Sequence, residues 1–187
     1  MADWKRRAFI LAAGGAGLTA CTTQPTGLTE TPAQTIDRRV DLALVDLYAT
    51  IPGTAELGAN AQGILVIPRI RRAGFWFSGA YGEGALISGP AKVDYYSMSA
   101  AGFGFTFGAA EYNQALFFMN SDALRDFRVS DGWSLGARGQ VVVSDQGAAA
   151  GITSTQINRP IQEVVFGQRG LIADASFVGA KYNRIVR

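Results

Sequence analysis

The chain has 187 residues, 17 basic and 15 acidic side chains, one cysteine and no histidine. The missing histidine excludes Ser-His-Asp triads, Cys-His dyads and any zinc site that uses imidazole; the single cysteine excludes an internal disulfide and a CxxC metal or redox pair. With 48% hydrophobic and 17% charged residues, this is the composition of a folded chain, long enough for one domain with a real core.

Residues 1–20 read as an export signal. Lys5, Arg6 and Arg7 form a basic start, and Phe9 to Leu18 is a weakly apolar stretch containing Gly14, Gly15 and Gly17. That stretch is well short of the roughly 20 residues of a membrane-spanning helix and fits a secretory signal. Leu18-Thr19-Ala20-Cys21 resembles the bacterial lipobox, an apolar residue and two small ones before cysteine. By that resemblance cleavage falls before Cys21, whose thiol takes a diacylglycerol; the thiolate is the nucleophile, and small neighbours leave room for the processing enzymes. Arg6-Arg7-Ala8-Phe9-Ile10 resembles the twin-arginine export motif. Removing residues 1–20 takes away Lys5, Arg6, Arg7 and Asp3 and leaves the charges balanced. The net charge of +2 is therefore no argument for a nucleic-acid partner.

Residues 21–35 are expected to be the lipidated cysteine and a flexible tether rich in Thr, Gln, Pro and Gly. Ile36, Val40, Leu44, Leu47 and Ile51 recur at helical spacing, with Asp37, Arg38, Asp41 and Asp46 on the wetter side. Thr35 is the expected N-cap, and Pro52-Gly53 the stop. After Gly63 the period becomes two. Ile64 to Ile67 predicts a short strand interrupted at Pro68. Phe75, Phe77, Gly79 and Tyr81 alternate with Trp76, Ser78 and Ala80 in the next. Phe103, Phe105 and Phe107 alternate with Gly104, Thr106 and Gly108. Tyr112 to Met119 is a further strand, and Asn120-Ser121-Asp122 opens a short helix with Leu124 and Phe127 inward. Strands are expected over 133–144, 149–157, 161–166, 171–178 and 181–186, separated by Gly and polar turns. The fold class predicted is α+β: a mainly antiparallel sheet, curled or closed into a barrel, with an N-terminal amphipathic helix and one short helix.

Several blocks along this series resemble the SYLF domain, in its bacterial secreted-lipoprotein branch. They are Gln62-Gly63-Ile64-Leu65-Val66-Ile67-Pro68, Ala73-Gly74-Phe75, Tyr81-Gly82-Glu83-Gly84 and the run from Ala101 to Gly108. Phe118-Met119, Ala123-Leu124, Phe127 and Gly132-Trp133-Ser134-Leu135-Gly136 follow. Phe166-Gly167-Gln168-Arg169-Gly170-Leu171-Ile172 and Gly179-Ala180-Lys181 complete the set. Each block is weak alone; their order and spacing carry the resemblance, which covers residues 36–187. It implies lipid binding, since eukaryotic members associate with phosphoinositide-containing membranes and some bind actin. An exported bacterial protein does not meet actin in its own cell, so actin is not an expected partner.

Two sets of residues are candidates for lipid contact. Arg69, Arg71 and Arg72 stand next to Phe75, Trp76 and Phe77. Guanidinium forks suit phosphate, and aromatic rings suit the membrane interface, although a solvated turn before a core strand has the same composition. Phe103, Phe105 and Phe107 would line an acyl-chain pocket in a barrel, or simply pack one sheet face. Gly82-Glu83-Gly84 and Gly102-Phe103-Gly104 lack the full dinucleotide fingerprint. Glu83, Asp94, Glu111 and Asp145 have no spacing that pairs them as acid and base, and read as solvated carboxylates. Ser-Lys chemistry would have only Lys92 and Lys181 in the mature chain. The expectation is a non-catalytic, membrane-anchored lipoprotein whose domain binds lipid, with no cofactor, no metal and no nucleic acid. The alternative is an envelope structural protein that presents a β domain to a protein partner, itself unspecified.

A multiply acylated cysteine attaches durably, whereas one chain binds only marginally. Thr22, in place of Asp, favours the outer membrane by resemblance to enterobacterial sorting, with the domain facing the periplasm or the surface. Cys21→Ala is predicted to move the protein out of the membrane fraction, and Arg6→Lys with Arg7→Lys to block export. Cell fractionation checks both; an unchanged distribution overturns the corresponding assignment.

Overall fold

The computed structural model describes residues 30–74, 77–103, 107–130, 132–135, 159–173 and 180–187, with backbone alone at 102, 103, 107 and 171–173. The signal residues, Cys21, Phe75, Trp76, Phe105, Asp145 and the strand expected over 149–157 lie outside the described residues.

Helix α1 runs Pro32–Thr50 and starts with a capping box. Thr31 Oγ1 accepts from the Gln34 backbone N–H at 3.2 Å, and Gln34 Oε1 accepts from the Thr31 N–H at 2.9 Å. Pro32 follows at the first helical turn, where its missing N–H costs nothing. The helix therefore begins four residues before Ile36. Its cap is Thr31 rather than Thr35, and residues 32–35 of the expected tether are helical. Ile36, Val40, Ala43 and Leu47 form its buried stripe. Pro52-Gly53 ends it as expected, with Gly53 at φ 85°. A second helix that the periodicity does not announce, α2 Thr54–Asn60, follows at once. Thr54 Oγ1 donates to the Ile51 carbonyl at 2.7 Å and lies 3.2 Å from the Leu47 carbonyl, adding a side-chain tie to the backbone bonds that join α1 to α2.

Seven described strands form one antiparallel sheet. They are β1 Gly63–Gly74, β2 Phe77–Ser88, β3 Ala91–Phe103, β4 Phe107–Phe118, β5 Trp133–Leu135, β6 Ile161–Ala173 and β7 Ala180–Ile185, in the order β5-β7-β3-β2-β1-β4-β6. The short helix α3, Ser121–Val129, is capped by Asn120, whose Oδ1 accepts from the Ala123 N–H at 2.8 Å. The α+β class and antiparallel sheet hold. Closure into a barrel does not: among the described strands, β5 and β6 are the two edges.

Three strand boundaries differ from expectation for related reasons. Pro68 does not end β1. Ile67 and Ile70 both point to the same core although three residues apart, because Pro68 and Arg69 share one position of the ladder as a bulge. The segments 161–166 and 171–178 are not separate strands: β6 passes through both up to Ala173, with a register shift opposite Glu111 and Asn113. Phe103 and Phe107 are on different strands, the last residue of β3 and the first of β4.

Each sheet face buries its own core. Ile64, Val66, Ala85, Ala115, Phe117 and Phe166 pack under α1 and α2. Leu65, Ile67, Ile70, Leu86, Met98, Leu116 and Tyr182 pack on the other face, with Phe127 of α3. Phe127 is fully buried and meets the rings of Tyr96, Phe118, Trp133 and Tyr182 at centroid distances of 4.7, 4.9, 5.2 and 6.2 Å. Across that face the Tyr182 hydroxyl donates to Gln114 Oε1 at 2.9 Å. Their strands, β7 and β4, have three strands between them. A flat sheet would hold such strands roughly 19 Å apart, so the sheet bends toward α3.

Phe127→Ala should cost about 3–5 kcal/mol, since it removes the ring on which four others converge and leaves a cavity. Urea unfolding of the variant checks this; a loss under about 1 kcal/mol would show that α3 is not a stabilising cover.

Candidate functional site

The three arginines expected to act together are divided by strand alternation. Arg72 lies on the α3 face, 8% exposed, and donates from Nη2 to Ser78 Oγ at 3.2 Å. Arg69 and Arg71 lie on the α1 face, where the Glu111 carboxylate meets Arg69 Nε at 3.4 Å and Arg71 Nε at 3.6 Å. Phe77 starts β2 and is 67% exposed, as is Tyr81 at 53%, two pleats along on the same face. A single basic-aromatic patch of Arg69, Arg71, Arg72 and Phe77 is thus not formed. Phe103 and Phe107 do not continue one alternating strand, as the acyl-pocket expectation required.

Arg69 instead enters a different cluster. Helix α1 supplies Arg38, Arg39 and Asp46, β1 supplies Pro68 and Arg69, β4 supplies Glu111 and Asn113, and β6 supplies Gly167 and Arg169. Together they surround an open cleft of about 360 Å³. Its floor is set by the two bulges. Arg69 sits at φ 53°, a left-handed conformation that costs a side-chain-bearing residue roughly 1–2 kcal/mol. Its backbone N–H donates to Asn113 Oδ1 at 2.9 Å, which offsets part of that cost. On the other side of Asn113, Gly167 has φ 63°, and a Cβ there would come within 2.6 Å of Asn113 Nδ2. Asn113 therefore fills the space between the two bulges, and only glycine fits at 167. The cleft has four guanidiniums and two carboxylates, so its lining carries an excess of two positive charges. Arg–carboxylate pairs as long and as exposed as these contribute little to stability.

Arg38 and Arg39 carry no sequence signal beyond a charge on the helix, and Arg169 stands only within a family block. Pro68 inside an apolar run and Gly167 between two β-rich segments were the available signals, because both mark bulges that re-aim neighbouring side chains.

The carboxylates have separate environments. Asp94 is not solvated: it is 4% exposed, with one oxygen meeting Arg128 Nη2 at 3.0 Å and the other paired to Arg184. It ties β3 to α3 and β7. Burial pushes the Glu83 carboxyl up, but hydrogen bonds from Tyr81 and Arg187 outweigh it and hold Glu83 below the usual range. Nothing brings Glu83, Asp94 and Glu111 into a common site.

On the α3 face a polar chain crosses the apolar core. Tyr182 donates to Gln114, and Gln114 Nε2 donates to Glu163. Burial raises the Glu163 carboxyl above the ordinary range, and the Gln114 hydrogen bond only partly opposes it. Burial also pushes the nearby Tyr112 hydroxyl up to about 12 and Tyr182 well above its ordinary value.

No protein-family model matches the chain, and no curated protein does. Among the described residues, no helix is long and apolar enough to cross a membrane.

Glu163 gives a signed pH prediction. Its folded-state carboxyl titrates above its unfolded value, so between the two the native state holds the extra proton. Its penalty is absent below the unfolded value, grows as pH rises, and is complete above the folded one. Glu163→Gln keeps an acceptor for Gln114 and removes the buried charge. It should raise stability at pH 7 and leave stability near pH 4 almost unchanged. Denaturant midpoints at the two pH values test this, and a variant less stable at pH 7 overturns it.

Proposed function

We propose that the chain is a lipid-anchored envelope protein whose domain binds the headgroup of an anionic lipid and catalyses no reaction. The observation that carries this reading is the arginine-lined cleft between α1 and the bulged strands. Guanidiniums present fork-shaped donors that match phosphate oxygens, and this cleft gathers four of them from three elements. The lipobox-like Leu18-Thr19-Ala20-Cys21 and the SYLF-like blocks support it from the sequence side. On this reading the headgroup contacts are Arg69 with Arg38, Arg39 and Arg169, while Arg72 belongs to the interior of the α3 face. The barrel-held acyl chain loses support, since the described sheet is open.

A cleft that only has to hold a headgroup near an anchored protein need not bind tightly. Tethering raises the local lipid concentration, so a weak site is occupied. An outer-membrane location is proposed on the same footing, from Thr22.

The test uses the full chain carrying Cys21→Ala, so that no acyl chain supplies affinity. It should float with vesicles of phosphatidylcholine containing an anionic phospholipid and stay at the bottom with phosphatidylcholine alone. Arg69→Ala with Arg169→Ala should reduce flotation about tenfold or more, each lost charged hydrogen bond being worth roughly 1.5–3 kcal/mol. Residues 1–20 are common to both proteins, so their contribution cancels. Equal flotation of both proteins overturns the cleft as the site. Failure of both to float favours the alternative, a protein partner on the domain.

A further inference from the structure

We infer that the cleft selects a terminal phosphate, the dianionic phosphomonoester, over the monoanionic phosphodiester. This rests on the headgroup reading above and names its ligand. The first argument is charge. Arg38, Arg39, Arg69 and Arg169 face Asp46 and Glu111, an excess of two positive charges. A phosphomonoester at neutral pH carries nearly two negative charges and balances that excess, whereas a diester carries one. The second argument is the number of acceptors. A diester offers two non-ester oxygens, enough for one bidentate fork. A monoester offers three, and so accepts from guanidiniums on different sides. The arginines here do come from different sides: two from consecutive positions of α1, one from the β1 bulge and one from β6 just beyond its bulge.

The cleft is also prepared for an incoming anion. Arg69 is held at its unusual backbone conformation by Asn113, which fixes where its side chain begins. The guanidinium itself is lightly held, 3.4 Å from Glu111, and Glu111 keeps Arg71 as an alternative partner. Moving Arg69 from carboxylate to phosphate exchanges a long, half-exposed ion pair for a shorter charged hydrogen bond. Asp46 and Glu111 repel an anion at the walls and so direct it to the arginines. The open side of the cleft leaves room for that group.

A terminal phosphate is found on membrane lipids and on soluble metabolites, and the experiment separates them. The full chain with Cys21→Ala is measured against two vesicle sets of matched surface charge, one containing phosphatidic acid and the other phosphatidylglycerol. Calorimetry with glycerol 3-phosphate supplies the soluble arm. Phosphatidic acid should be bound about tenfold more tightly than phosphatidylglycerol. Arg169→Lys keeps the charge, removes the fork and lies on an exposed stretch of strand; it should weaken the preference without changing the thermal midpoint. Binding of glycerol 3-phosphate, weakening as pH falls through about 6 where the phosphate gains a proton, would extend the ligand to soluble monoesters. Its absence alongside the vesicle preference would assign the phosphate to a lipid. Equal binding of the two vesicle sets, or a preference that Arg169→Lys leaves unchanged, overturns the inference and leaves the headgroup reading standing. Failure to bind phosphatidic acid, phosphatidylglycerol and glycerol 3-phosphate overturns both.

Discussion

Two β-bulges at one level of the sheet divide the domain into halves with different jobs. Before the bulges, β1 and β6 are covered on both faces: every residue from Gly63 to Pro68 is buried, as are Val164, Val165 and Phe166. Beyond them β1 alternates, with Arg69, Arg71 and Ala73 exposed and Ile70 and Arg72 buried. The first pattern is that of a strand between two apolar layers, the second that of a strand with one wet face. The change falls where α1 stops covering the sheet. Asn113 holds this boundary by taking the Arg69 N–H on one side and packing against Gly167 on the other. The arginine cleft is thus a consequence of long strands that run on past the cover α1 provides on one face.

The two faces handle polar groups in opposite ways. On the α1 face charges sit at the rim of a short cover, where water screens them and a ligand can compete for them. On the α3 face several polar groups are carried into the core and paired there. Asp94 has an arginine on each oxygen, and Gln114 uses both ends of its amide, accepting from Tyr182 and donating to Glu163. Such buried networks favour one arrangement of the sheet, because slipping a strand by one residue would leave their members unpaired. Arg72 illustrates the difference. It is one residue from Arg71 and points into the other environment.

Much of the architecture was legible because it rests on short-range rules. The continuous run Ile64–Ile67, the alternation from Phe77 to Tyr81 and the Asn120 cap each reflect local physics, and each element is present. The errors share one source. Pro68, Gly167 and Gly170 read as punctuation between strands, yet Pro68 and Gly167 are bulge positions through which pairing continues, and Gly170 stands in the resumed ladder opposite Ala110. Closure of the sheet is a non-local property and had no local signature. The site was legible only at Arg69. Arg38, Arg39 and Arg169 come together across more than a hundred residues of sequence, through a crossing of α1 over β1 and β6 that periodicity alone does not specify.

The position of the cleft along α1 links the anchoring proposal to the headgroup proposal. Thr31 caps the helix, and Arg38 lies seven residues beyond it, roughly 10 Å along the axis. From Cys21 to Thr31 there are ten residues, which span at most about 35 Å when fully extended. If Cys21 carries the lipid, a short stretch of chain holds the domain that bears the cleft at a membrane. An unattached site would need affinity enough to capture lipid from solution, whereas on the anchoring proposal this one would sample headgroups at the high local concentration that attachment imposes. The open cleft and exposed guanidiniums suit that task better than a deep pocket would. On the headgroup proposal they would allow exchange among headgroups, with the discrimination between phosphates left to charge and fork geometry.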